Sequence, residues 1–377
     1  MRTRRLAFLI VILSACLSVG AQDKSSQKMT AAGDTRVLSY SISFKEGEAV
    51  AGVGAAPVIK LPFECTGDGT AFITMVQPLG TGSRPTNLNA FSPSLLLISI
   101  AQSGEAHSFP LNQVPDLYDI SEVDHFVADS NVIFLLRASP SDGGTAMNSA
   151  SEPASSSRPE RHPYIIRFDR DGTYKKTLQL GDDFEIYRIG LFPSGNYLAF
   201  GYDQVDHSPR LALLKSDGAL LQYLDIPQGG MPQSVLGTRN GDGRGAAVYL
   251  APVQFLGRGH SIYILQNKSD FPLLEVSEAG VIRKIPLILP DGVRVSMLIP
   301  SEHDLYARAE DQQNRIYEFN ARSGALVRQF TVGSGQSGAN LACINGDRFF
   351  SFEDKKGKMV PLVGTVEPIS SEPSALR

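Results

Sequence analysis

The sequence has no tryptophan, and only three of its 377 residues are cysteine. Net charge is close to balance, at −4 with histidine neutral. A chain this near neutrality has no basic stripe to neutralise a row of phosphates, so nucleic acid is excluded as an expected partner. Three cysteines are too few for a disulfide-built scaffold. After the N-terminus no apolar run is long enough to cross a bilayer as a helix. Several signatures are also missing: a Gly-x-Ser-x-Gly elbow, a phosphate loop, a His-Glu-x-x-His helix and a dinucleotide fingerprint. What remains is a chain of 42% hydrophobic and 20% charged residues with 35 glycines and 23 prolines. That composition buries a sizeable core and suits many short strands joined by turns.

The first residues read as an address. Met1-Arg2-Thr3-Arg4-Arg5 is a positive start, and Leu6 to Val19 is apolar apart from Ser14 and Ser18. Two processing routes compete. Val19-Gly20-Ala21 has small residues for cleavage before Gln22, giving a 1–21 signal peptide. Leu13-Ser14-Ala15-Cys16 resembles a bacterial lipobox, which removes 1–15 and lipidates Cys16. Either route predicts export to the periplasm or the extracellular space, the second with a membrane anchor. Residues 22–34 are polar and form a loose N-terminal segment.

From residue 60 onward one pattern recurs: four short apolar stretches separated by Gly, Asp, Asn or Ser turns. The clearest copy runs from Arg188 to Ile226, with turns at Pro193-Ser194-Gly195-Asn196 and Ser216-Asp217-Gly218. Five further units are readable, with turns between the third and fourth stretches at Gly104, Gly172, Gly280 and Gly324. The last unit, around Cys343, lacks a fourth stretch. A meander of four strands cannot cover both of its faces alone, whereas stacking meanders radially and closing the ring covers them all. The expectation is therefore an all-β, six-bladed β-propeller of four-stranded antiparallel blades. It spans residues 35–366, with 367–377 as a tail. The alternating segment 35–44 supplies the missing strand and closes the ring.

Gly195-Asn196-Tyr197-Leu198-Ala199-Phe200 and Asn314-Arg315-Ile316-Tyr317-Glu318-Phe319 with Ser323-Gly324 resemble blades of NHL-type and related six-bladed propellers. The resemblance covers residues 60–366 and implies architecture more than activity. Some six-bladed propellers, the lactonase-like ones, use channel carboxylates to hold a metal. No lactonase motif matches this sequence residue by residue.

Long inserts fall at 79–91, 138–162 and 228–245, all at connections that emerge on one face of a meander blade. That face is expected to hold a protein, peptide or glycan. Asp116, Asp119, Glu122, Asp182, Asp183, Glu185, Asp291 and Arg294 lie at or before the entry of first strands. Of these, Asp119, Glu122, Asp183, Glu185 and Asp291 are the candidate ligands for a hard cation. The competing reading of these acids is solvated loop residues. Asp169-Arg170-Asp171-Gly172 and Asn240-Gly241-Asp242-Gly243 lack the late glutamate of a calcium loop and read as turns. So does the glycine-rich Gly333–Gly338 segment, which lacks a phosphate-loop lysine. His260 and His303 share a turn position but bring no third metal ligand, and His125 reads as a packing residue. Asn267-Lys268-Ser269 is a glycosylation sequon. Cys65 and Cys343 fall in the first strands of the first and last units, which ring closure makes neighbours, so they are candidates for a disulfide.

Function is expected to be binding or scaffolding, with no cofactor. A metal-dependent hydrolase or lactonase using the channel carboxylates is the alternative, and a subunit of an envelope complex is a third reading.

Overall fold

The computed structural model describes residues 37–46, 64–66, 68–76, 95–101, 103, 105–128, 130–141, 160–225, 235–237, 247–249, 253–266, 273–301, 304–309, 315–332, 340–355 and 358–369. The signal segment with Cys16, the insert 79–91, most of the other two inserts, the sequon, His303, Asn240–Gly243 and Gly333–Gly338 lie outside them. Among the described residues no helix is long and apolar enough to cross a membrane. The elements are strands, apart from one 3-10 turn at Leu111–Gln113.

Strand β1 is Leu38–Glu46. A first four-stranded sheet follows: β2 (Glu64–Cys65), β3 (Ala71–Val76), β4 (Leu95–Ile100) and β5 (Ala106–Phe109). The second is β6 (Leu117–Val127), β7 (Asn131–Pro140), β8 (His162–Asp169) and β9 (Tyr174–Gln179). The third is β10 (Phe184–Leu191), β11 (Tyr197–Asp203), β12 (Ser208–Leu214) and β13 (Leu220–Leu224). A two-stranded pair, β14 (Val235–Gly237) and β15 (Ala247–Tyr249), separates it from the fourth. That sheet is β16 (Val253–Arg258), β17 (Ser261–Gln266), β18 (Leu273–Ser277) and β19 (Ile282–Ile285). The remaining strands are β20 (Val295–Ile299), β21 (Leu305–Ala309), β22 (Ile316–Phe319), β23 (Leu326–Val332), β24 (Asn340–Asn345), β25 (Arg348–Lys355) and β26 (Lys358–Pro368). They join with β1 in one eight-stranded sheet, ordered β20-β21-β22-β23-β1-β26-β25-β24.

The arrangement is propeller-like, but the expectation of six separate blades needs correction. Four blades are independent four-stranded sheets, and the rest of the chain forms the eight-stranded sheet. The reason is β1. It pairs antiparallel with β26, from Tyr40 opposite Pro368 to Glu46 opposite Leu362. Its other edge pairs in parallel with β23, from Leu38 opposite Arg328 to Ile42 opposite Val332. A strand expected to complete only the last meander therefore also fuses it to the one before. Gln329 Nε2 donates to Ser39 Oγ at 2.7 Å, and the Arg328 guanidinium lies 5.7 Å from the Tyr40 ring centre, reinforcing the parallel seam.

The first strands touch in succession: β2 with β6, β6 with β10, β10 with β16, β16 with β20, β20 with β24, and β24 with β2. At the last of these junctions Cys65 and Cys343 form a disulfide with Cα atoms 5.7 Å apart, closing a separation of 278 residues.

Period-two patterning explains the stacking. Along β7, Val132, Phe134 and Leu136 face an apolar layer shared with the first sheet, containing Phe72 and Phe109. The alternate residues, Ile133 and Leu135, belong to the core that covers both faces of the third sheet and contains Leu198, Leu211 and Leu214. In β17, Ile262 and Ile264 join that core, whereas Tyr263 and Leu265 belong to the following cluster beside Leu298 and Tyr317. Middle strands are thus buried on both faces, which a lone sheet cannot achieve. A further layer, with Ile42, Phe44, Phe330 and Phe349, lies against β1 itself.

The turns between third and fourth strands approach the preceding sheet closely. Gly172 has φ +83, and a Cβ there would stand 2.4 Å from the Ser108 carbonyl oxygen of β5. At Gly324, φ +70, the corresponding atom would stand 1.7 Å from the Pro286 carbonyl oxygen, just after β19. Glycine is needed there for the left-handed backbone and for the close packing.

Candidate functional site

An antiparallel meander puts the turn between its first and second strands at one end of the sheet (the turn end). The connections between second and third strands, and between successive sheets, leave from the other (the insert end). The acids singled out in the sequence lie mainly at or near the insert end, and basic side chains from neighbouring strands answer several of them. Arg161, before β8, donates through Nη2 to the Asp119 carbonyl oxygen at 2.8 Å, Ser121 Oγ at 2.6 Å and the Arg137 carbonyl oxygen at 2.7 Å. Its Nε stands 3.4 Å from the Asp119 carboxylate. Arg137 of β7 reaches the next sheet, where Glu185 Oε1 accepts from its Nη2 at 2.7 Å. Gln204 Nε2 donates to the other oxygen of Glu185 at 2.9 Å. Asp182 Oδ2 lies 3.0 Å from His162 Nδ1.

The remaining candidates do not converge on these. Asp183 is exposed, and its carbonyl accepts the Gln204 N–H at 2.9 Å. Asp116 and Asp119 adopt φ of 60° and 49°, which aspartate tolerates in turns. Asp291 and Arg294 are exposed in and after the turn closed by the Val293 N–H to the Pro290 carbonyl at 3.1 Å. Among the described residues no three His, Cys, Asp or Glu side chains are grouped to hold a metal ion.

Deeper along β6 lies a buried ion pair. Glu122, with its side chain only 2% exposed, meets His125 at 2.8 Å between Oε1 and Nδ1. Burial opposes charging of His125. The hydrogen bond to Glu122 and the charges of Glu64, Glu122 and Asp124 outweigh it and raise the imidazole pKa above its usual value. The ring is therefore held toward its cationic form, as one part of a charge-balanced cluster. A bulge between Glu122 and Asp124 turns the next acid toward the following sheet. Asp124 Oδ2 accepts the buried Ile189 N–H at 3.0 Å, and its Oδ1 accepts from Arg188 Nη1 at 2.8 Å. Gln254 of β16 makes the corresponding link to β20. Its Nε2 donates to the Leu298 carbonyl at 2.8 Å, and its Oε1 accepts the Leu298 N–H at 2.7 Å. Both are staples between first strands that sequence reasoning missed. For Gln254 the signal was a polar residue among apolar neighbours, whereas Asp124 lies in a strand with several other polar residues and is not singled out by sequence.

At the turn end, the Asp169–Gly172 segment is a turn, with the Gly172 N–H on the Asp169 carbonyl at 3.1 Å. Its Arg170 bridges to the first sheet. There Nη2 donates to Asp68 Oδ2 at 2.6 Å, Thr66 Oγ1 at 2.9 Å and Thr70 Oγ1 at 3.0 Å. Burial pushes the Asp68 carboxyl up, but the Thr70 N–H, Arg170 and Thr66 together hold it well below the usual carboxylate range. His260, of the same end, is exposed and stands 3.9 Å from Glu278.

Also at the turn end is a cavity of about 300 Å³, bounded by strands of four sheets. Phe126, Leu191 and Phe192 give it apolar walls, and Arg167 and Arg258 bring guanidinium groups to it.

Neither a protein-family model nor a curated protein matches the sequence. Nothing in these comparisons supports NHL-type propellers in particular, and the observed sheets support only a propeller-like arrangement. Among solved structures, a chain of the mitotic checkpoint complex aligns at 9% identity and TM-score 0.37, over 96% of this chain and 99% of that one. A Trypanosoma rangeli sialidase, in complex with a difluorosialic acid, aligns at 10% identity and TM-score 0.40, over 86% and 59%. Kuenenia stuttgartiensis hydrazine synthase aligns at 8% identity and TM-score 0.36, over 82% and 95%. At this distance the neighbours carry no information about what this chain binds or transforms.

Proposed function

We propose that this chain is an exported binding or scaffold module that holds a protein, peptide or glycan on its insert end. The observation that carries the reading is how the insert-end acids are used. Asp119, Asp182 and Glu185 are answered by Arg161, His162 and Arg137, and the Arg137–Glu185 pair ties one sheet to the next. Carboxylates engaged by basic side chains of the frame are poorly placed to coordinate a hard cation, which needs several of them converging. A frame stapled in this way is a rigid support for long loops, and binding residues are usually carried on such loops. The export signal at Met1–Val19 gives the compartment, with Cys16 as the anchoring residue if the lipobox is used.

The test shortens 143–158 and 229–233 to brief Gly-Ser links, separately, and screens both variants beside the full chain on glycan and peptide arrays. Loss of a full-chain ligand in a variant that keeps its melting temperature supports the reading. Unchanged binding in both variants overturns the assignment of the insert end. Lactone or ester hydrolysis that chelation abolishes and a divalent metal restores would replace it with the hydrolase reading.

A further inference from the structure

β5, β9, β13 and β19 are the outermost strands of the four independent sheets, and among the described residues each pairs on one side only. An outer strand offers a row of backbone donors and acceptors to any other strand, and charged side chains are a common guard against that. Lys175 and Lys176 guard β9, and Arg283 and Lys284 guard β19. β5 is only four residues long and carries His107. β13, Leu220-Leu221-Gln222-Tyr223-Leu224, has no charged residue. It also turns apolar groups outward. Leu220 is 48% exposed, Leu221 49% and Tyr223 37%. Val281, also exposed, extends the patch, because it follows Gly280, whose Cβ position lies against the Gln222 side chain.

The chain itself shows that such an edge can be extended. Val327 of β23 and Leu221 of β13 are the extra residues of corresponding bulges against the third strand. Past its bulge, from Arg328 onward, β23 accepts β1 as a further strand, and that addition produces the eight-stranded sheet. The matching positions of β13 are Gln222, Tyr223 and Leu224. Neighbouring side chains hold them in place. Leu224 is buried, and the Tyr223 ring lies 5.6 Å from the Arg210 guanidinium and 5.9 Å from the Phe184 ring. The edge is therefore formed before anything binds it.

The same strand of a second copy is the complementary occupant. A two-fold axis sets two identical edges antiparallel. With the axis at Gln222, Leu220 stands opposite Leu224 and Leu221 opposite Tyr223. Asp225, just beyond the strand, then meets Ala219, so no like charges oppose one another. The same operation at β9 or β19 would set basic side chains near their own copies, which is destabilising. A net charge of only −4 opposes the encounter little. We propose that β13 is a self-association edge, through which two copies of this chain join their third sheets into one continuous eight-stranded sheet. Five residues a side bury less than a standard interface, so the dimer is a weak one, with a Kd on the order of 100 μM. This assignment does not rest on the insert-end reading.

The experiment is sedimentation velocity on the mature chain from about 5 μM to about 1 mM, a range that brackets that Kd. Dimer should accumulate with concentration. L221K and L221E, each placing a guard charge at a half-exposed position, should weaken association about tenfold or more and keep the parent's melting temperature. Mixed in equal amounts they should regain the dimer, because the two-fold brings the lysine of one chain within reach of the glutamate of the other. V205K, a change at an exposed residue between β11 and β12, should associate as the parent does. If the β13 variants do not fold, hydrogen exchange on the parent chain decides, since the amides of 220–224 should slow as concentration rises. A parent chain that stays monomeric to about 1 mM overturns the assignment. Undiminished dimer in L221K, variants that stay monomeric when mixed, or exchange at 220–224 that ignores concentration would each overturn it as well.

Discussion

Asp124 Oδ2 accepts the backbone N–H of Ile189 at 3.0 Å, across the boundary between the second and third sheets. Here a carboxylate delivered by a bulge substitutes for a main-chain acceptor, and the same acid receives Arg188 at 2.8 Å. Asp124→Leu should therefore destabilise the fold by about 2–4 kcal/mol, since a buried donor loses its acceptor. Asp124→Asn keeps an oxygen for Ile189 but loses the charge, and should cost about half as much. Urea denaturation of both variants checks the order. An asparagine as damaging as leucine would mean that the Arg188 pairing dominates.

The disulfide between Cys65 and Cys343 spans 278 residues, so by chain entropy it contributes near the upper limit for such bonds, about 5 kcal/mol. A C65S/C343S double variant should show a lower denaturation midpoint by a corresponding amount. Thiol titration of the folded, unreduced protein should find neither cysteine free. Two reactive thiols, or a double variant of parental stability, would contradict the bond.

His125 couples the fold to pH. Its pKa in the folded chain is raised, so folding favours the protonated ring. The resulting stabilisation is fully present below the unfolded value of about 6.5 and is lost as pH rises through the folded value. H125Q should flatten that part of the stability profile, with the difference between variant and parent shrinking as pH increases through neutrality and above. Melting temperatures from pH 5.5 to about 9 suffice to see it. Parallel profiles would mean that the Glu122–His125 contact does not respond to protonation.

Gly172 meets Ser108 too closely for a side chain. Gly172→Ala adds a Cβ 2.4 Å from a carbonyl oxygen at φ +83, and should cost about 1–3 kcal/mol. Gly259 is the control. Its φ is +55, but nothing stands within 4 Å of its Cβ position. G259A should lose only the backbone part, about 1 kcal/mol. Equal losses would show that the approach to Ser108 is unimportant.

Tyr197 illustrates the opposite sign. Its ring is fully buried in the core around the third sheet, and its hydroxyl has no hydrogen-bond partner. Burial raises the phenol pKa, with Arg167 pulling slightly the other way. Tyr197→Phe should leave stability unchanged or raise it by up to about 1 kcal/mol, as read by thermal melting.

The sequence displayed what repeats, and concealed what joins the repeats. Tyr197 to Phe200, and the glycines at 172, 218, 280 and 324, carry the local chemistry of hairpins, so strand order within each blade could be read directly. Alternation in 35–44 identified a strand in need of a partner. It could not reveal that both edges would be used, because period-two patterning reports on faces, not on edges. The acids at 119, 182 and 185 were visible, but their cations were not. Arg161 is 42 residues from Asp119, and Arg137 is 48 from Glu185. Meander pairing within the second sheet brings the first pair together, and the approach of the third sheet to the second brings the other.

The double pairing of β1 sets an order of events in time. A ribosome releases Leu38–Glu46 before any other described strand, yet its two neighbours, β23 and β26, are the fourth from last and the last of the described strands to be made. Until then this segment has open edges on both sides, while four blades ahead of its partners can already condense. Ring closure is thus a terminal, long-range step that must await the whole chain. Factors that shield an early β segment during synthesis or translocation would act on these nine residues first.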